Sequence, residues 1–129
     1  MTAPFMDALV EDGVGLRHWA VAAAVAADAH RGVDTVVIDV GDVLVVTELF
    51  VITHGGNARQ VRAIVDNVEE SLKTAGGPSP SYVEGRQGLQ WVLLDYGAFI
   101  VHVFDAERRS FYKLEQLWAD CPEVDWRLP

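Results

Sequence analysis

Apolar positions recur along this chain with two different periods. Val61, Ile64, Val65, Val68 and Leu72 fall at i, i+3, i+4, i+7 and i+11, which is one stripe of a helix. Asn57 stands ahead of it as a cap, Glu69 and Lys73 form a favourable i, i+4 pair, and Gly76-Gly77-Pro78 ends it. A second helix is predicted from Leu16 to Ala29, LRHWAVAAAVAADA, on its high intrinsic propensity, with Arg31-Gly32 as the stop. Four-residue steps such as Trp19, Ala23 and Ala27 suit close packing against a sheet. Between the helices, VVIDV and then VLVVTELFVITH read as strands, with Gly41-Asp42 as a hairpin turn. The loop GGPSPS leads to YVEG, a short strand, and then to WVLLDYGAFIVHVFD, two apolar runs around Tyr96-Gly97. Leu114, Leu117 and Trp118, at i, i+3 and i+4, predict a short helix closing over the sheet. Helix, two strands, helix, three strands and a short helix together predict an α+β or α/β fold, a single three-layer domain with a mixed β-sheet. Residues 1–13 show no period and read as an N-terminal extension to a domain over 14–129.

Composition narrows the function classes. A chain of 129 residues, half apolar and 22% charged, is globular and of one-domain length. Nineteen acidic residues against ten basic ones leave a net charge of -9, which argues against broad binding to a phosphate backbone and suits a basic protein partner. The single Cys121 excludes a disulfide framework and a Cys-rich zinc site, and points to a reducing, cytosolic setting. No apolar run approaches the ~20 residues that span a bilayer, and the first residues lack the basic start of a signal peptide.

The sharpest geometric expectation concerns the second apolar pair of strands. A two-residue turn at Tyr96-Gly97 would pair Asp95 with Ala98 and set Trp91 opposite His102, on one sheet face with Leu93, Ile100 and Asp95. Trp beside His on such a strand resembles an interaction anchor, because Trp joins a large area to a donor. Residue types alone weigh towards packing, the usual role of buried aromatics. VVIDVGDVLVV looks like a haloacid-dehalogenase opening with Asp39 as nucleophile, but Ser71 and Lys73 lie within a helix and no Asp-Asp pair follows. THGGN, Thr53 to Asn57, places two glycines before a helix N-terminus, where amides hold anions, yet it is neither GxxxxGK[ST] nor GxGxxG. Nucleotidyl transfer would also need paired carboxylates on a neighbouring strand, where only Asp95 is available. His18, His30, His54 and His102 have no metal-ligand spacing, no Gly-x-Ser-x-Gly elbow occurs, and Arg108 and Arg109 read as solvated charges. No catalytic residue, metal ligand or cofactor is expected.

ELFVITHGGNARQVRAIVDNVEESL, then YVEG, WVLLDYG, IVHVF and FYKLEQLWAD, in that order, resemble the ribosomal silencing factor, or Iojap, family over about Val36 to Asp120. The resemblance implies a nucleotidyltransferase-like fold that serves as a cytoplasmic binding module rather than an enzyme. Members bind the large ribosomal subunit through ribosomal protein L-fourteen and sterically block subunit joining, repressing translation when nutrients are scarce. Little direct nucleic-acid contact, no membrane and no cofactor are implied, and a homodimer is left open. The expected contacts are Trp91, Leu93, Asp95 and His102, with Tyr96 and Arg59 beyond them. Three positions depart from the family pattern. Glu48 replaces its Asp, His54 to Asn57 replace a Thr-Gly-Thr-Ser-like run, and Gly97-Ala98 replaces Gly-Asp. Ala98 therefore removes a carboxylate from beside the Trp91 and His102 face. Residual nucleotide binding or nucleotidyl transfer at the THGGN glycines is the competing function.

Overall fold

The computed structural model describes residues 13–44 and 46–127, so the expected extension lies outside the described residues except for Gly13. In chain order the elements are α1 (Gly13–Ala29), β1 (Val33–Asp39), β2 (Leu49–Gly55), α2 (Ala58–Thr74), β3 (Tyr82–Glu84), β4 (Trp91–Asp95), β5 (Phe99–Asp105), α3 (Ala106–Tyr112), α4 (Leu114–Leu117) and β6 (Glu123–Val124). α2 forms where its stripe places it. Asn57 accepts the Gln60 N–H at 2.9 Å, and Val61, Ile64, Val65, Val68 and Leu72 are all buried. α1 ends through Arg31 in the left-handed conformation (φ 70), not through Gly32. Gly32 is needed for space, since a Cβ there would stand 2.6 Å from Thr53 Oγ1.

Six strands form one mixed sheet in the order β3-β4-β5-β2-β1-β6. β2 and β5 pair in parallel at its centre and every other pairing is antiparallel. Alternation along each strand then sorts the side chains onto two faces. α1 and α2 cover one face. Ala20, Ala23, Ala24 and Ala27 are fully buried there against Val37, Val51, Val92, Val101 and Val103, small residues that let the helix lie close. The other face gathers Ile38, Phe50, Ile52 and Phe104, and is covered in part by Leu114 and Trp118. The architecture is thus α/β, with two long helices on one side of a mixed sheet and short helices on the other.

Three expectations about connections are corrected. Strands β1 and β2 are joined by a nine-residue loop, 40–48, rather than a tight turn at Gly41-Asp42. Asp39 accepts the Gly41 N–H at 3.1 Å and Val40 accepts from Val43 and Leu44, which coils the chain outward and leaves Val43 and Val46 exposed. The expected short helix forms as α4, but an unexpected helix, α3, precedes it, and Lys113 in the left-handed conformation (φ 50) separates the two. Leu117 faces solvent instead of the sheet. Beyond them β6 adds an unforeseen sixth strand, held by Trp126, whose Nε1 donates to the Thr35 carbonyl at 2.9 Å.

Candidate functional site

The β4–β5 hairpin turns at Gly97-Ala98, one residue later than expected. Gly97 sits at φ 85 in the first turn position, where primed hairpin turns take glycine, and the Tyr96 N–H donates to the Phe99 carbonyl at 2.9 Å. Asp95 braces the turn by accepting the Gly97 N–H at 2.7 Å. Trp91 therefore pairs with Phe104, and Leu93 with His102. Because the pairing moved by two residues, parity is kept, and Trp91, Leu93, Asp95, Ile100 and His102 share one face as the sequence indicates.

That face is the one the short helices cover only partly. Trp91, Leu93, Asp95 and Ile100 are each half-buried, so the β4–β5 end presents an apolar surface with Asp95 at its margin and the exposed Tyr82 and Glu84 of β3 paired beside it. Trp91 stacks on Phe104 with ring centroids 4.7 Å apart and leans on Tyr112 of α3 at 4.9 Å. Its Nε1 donates to His102 Nδ1 at 3.1 Å. His102, however, is only 4% exposed and has no surface of its own to offer. Burial pushes its pKa down to about 4, so the ring is neutral at pH 7.

Tyr96 and Arg59 are not brought to this surface. Tyr96 points to the opposite face, where it stacks on Phe99 at 4.7 Å; burial, then the nearby Glu69 carboxylate, pushes its pKa up. Arg59 is exposed in the first turn of α2, which also packs on that opposite face.

Arg109 is no solvated charge. It is 7% exposed, and its Nη1 donates to the Val33 carbonyl at 2.9 Å and to His54 Nδ1 at 3.1 Å, while Nε donates to Glu115 at 3.0 Å. Desolvation, and then the neighbouring guanidinium, lower the pKa of His54. This hub ties α3 and α4 to the ends of β1 and β2. Nothing in the sequence marks it, since its acceptor on Val33 is 76 residues away. Arg108, by contrast, pairs with Glu107 at the surface.

Of the two THGGN glycines, Gly55 serves a close connection, while a Cβ on Gly56 would meet open space. A Cβ on Gly55 would stand 2.9 Å from the Val61 nitrogen. The structure does bring one acid pair together, Asp39 and Glu48 around Gly41. These acids lie at the start of β2 and the glycines at its end, about 20 Å apart at ~3.3 Å per residue, so the two parts of a nucleotidyl-transfer site are not assembled. Among the described residues, no cluster of three or more His, Cys, Asp or Glu side chains is placed to hold a metal ion, and no helix is long and apolar enough to cross a membrane.

Comparison with known proteins agrees with this picture. A family model described as "Ribosomal silencing factor during starvation" matches residues 16–128. The ribosomal silencing factor RsfS of Bacillus subtilis is 37% identical over 103 residues, covering 80% of this chain and 86% of its own. A crystal structure from Chromobacterium violaceum superposes with a TM-score of 0.77 at 26% identity, covering 88% of this chain and 93% of its own. One from Bacillus halodurans superposes with a TM-score of 0.70 at 31% identity, over 85% and 96% respectively.

Proposed function

The chain belongs to the ribosomal silencing factor family, and from that premise we propose that it docks on the large ribosomal subunit through ribosomal protein L-fourteen and blocks subunit joining by occupying a surface. The observation that carries this reading is the half-buried apolar patch of Trp91, Leu93 and Ile100 on the part of the sheet that the short helices leave open. Trp91 is the anchor, Leu93 and Ile100 exclude water around it, and Asp95 stands at the margin. Tyr96 and Arg59, on the far side, take no part in the same contact. The net charge of -9 favours encounter with a basic ribosomal protein, through steering more than through affinity. The domain, residues 14–129, acts in the cytoplasm without chemistry, cofactor or metal.

Co-sedimentation with purified large subunits tests the reading. Trp91→Ala should weaken binding by about 2–4 kcal/mol, roughly 30- to 1000-fold, as for a central anchor. In a subunit-joining assay the same variant should fail to keep large subunits free. A folded Trp91→Ala protein that binds large subunits at wild-type strength would remove this face from the function.

A further inference from the structure

His102 is hard to explain as a packing residue. A neutral imidazole has one acceptor nitrogen, so the bond from Trp91 Nε1 to Nδ1 puts the ring proton on Nε2. That Nε2 is buried, with no hydrogen-bond partner among the described residues. The ring is enclosed by aromatics, edge-on to Phe50 at 4.6 Å and stacked with Phe104 at 6.4 Å. A buried donor left unpaired is destabilising, and an apolar side chain of similar size would fill this space without it. What only the histidine supplies here is an acceptor facing Trp91. The indole, in turn, spends its single donor inward and shows the surface nothing but ring.

Resting on the docking role given above, we propose that His102 is a positioning residue, which accepts the Trp91 indole N–H and so holds that ring in the orientation the ribosomal partner meets. The patch then exists before the partner arrives, and no side-chain freedom of the anchor is lost on binding. The chemistry recognised at Trp91 follows from the same bond. The partner offers it an apolar or stacking group, because no indole N–H remains to be accepted.

The test uses the full chain, isotopically labelled for NMR, together with co-sedimentation on large subunits. Trp91→Phe identifies the Trp91 indole N–H signal among those of the four tryptophans. In the wild type that proton should exchange slowly with solvent, and His102 should show the Nε2–H tautomer. His102→Leu should release the indole to faster exchange and weaken binding roughly 3- to 10-fold, the span for one newly mobile side chain. His102→Gln, which keeps an acceptor, should bind closer to wild type. Adding His102→Leu to Trp91→Phe should cause no further loss, because the donor is already gone. If Trp91→Ala loses binding while His102→Leu and Trp91→Phe bind at wild-type strength, the positioning role is overturned and the docking surface stands. If Trp91→Ala itself binds normally, the docking surface falls and the role given to His102 falls with it. Should His102→Leu fail to fold, Trp91→Phe decides alone, since it keeps a ring and removes the donor, and undiminished binding overturns the proposal.

Discussion

Replacing Arg109 with methionine tests the buried hub directly. The Arg109 side chain is 8% exposed and makes three hydrogen bonds, to the Val33 carbonyl, His54 Nδ1 and the Glu115 carboxylate. Methionine keeps most of the apolar stem and removes the guanidinium. The bond to Glu115 is charge-assisted, and losing such a bond costs about 1.5–3 kcal/mol. The two bonds to neutral acceptors add to that, offset by the water that half-exposed His54 and Glu115 regain. About 3 kcal/mol in all is expected, less than for a fully buried pair broken on one side. For a chain of 129 residues, unfolding entropy of roughly 0.27 kcal/mol per degree converts this into a melting point about 10 °C lower. Glu115→Gln should cost much less in the Arg109→Met background than in the wild type, because its partner is already absent. The pKa of His54 should rise towards its ordinary value without reaching it, since desolvation, the larger cause of its depression, remains. Ribosome binding should also weaken, because α3 carries the Tyr112 ring that supports Trp91. Calorimetry and a His54 NMR titration read the outcome. A melting point unchanged within 2 °C (a margin of roughly half a kcal/mol), with His54 titrating as before, would refute the hub.

Three further outcomes are expected. Ile64, fully buried in the middle of α2, should cost about 2–4 kcal/mol as Ile64→Ala, and an unchanged urea midpoint would show that the stripe does not face the core. His102 titrates near 6.5 when unfolded and at about 4 when folded, so the unfolded chain takes up its proton first. Its contribution is therefore complete above about pH 6.5 and is lost as pH falls towards 4, by roughly 2 kcal/mol at pH 5; urea midpoints at pH 7.5 and 5 should differ less in His102→Leu than in the wild type. Nucleoside triphosphates with magnesium or manganese should be neither turned over nor stabilising, and a thermal shift of several degrees at millimolar nucleotide would contradict a purely docking role.

What could be seen in the sequence was local. α2 was legible in full because its stripe, its cap and its stop lie within about twenty neighbouring residues. The shared face of Trp91, Leu93, Asp95 and His102 was legible because strand parity alone decides it. The register was not, since both Tyr96-Gly97 and Gly97-Ala98 satisfy a tight turn until Gly97 is known to hold the first position. α3 was hidden because AERRSFY has no apolar period, although Asp105, which accepts the Arg108 N–H at 2.7 Å, was a readable cap. The burial of His102 and of Arg109 depends on how α3 and α4 settle on the sheet, and residues far apart in the chain decide that. Tyr96 adjoins the surface in sequence and Arg59 stands 32 residues before Trp91, yet both lie across the sheet from it in space.

The sheet ends on its two smallest strands, three residues of β3 at one border and two of β6 at the other. Free backbone at a border is the usual template for one chain to add to another, and here little of it is available. β1, β2, β4 and β5, the strands long enough to recruit a neighbour, each have a partner on both sides. A molecule that must carry an uncovered apolar patch is thereby protected from polymerising through its edges, and its charge of -9 keeps copies further apart. Two copies that associated through their open apolar sheet face would meet on the surface proposed for the ribosome. Self-association and docking then compete for the same surface, so crowding this protein with itself would withdraw it from its partner.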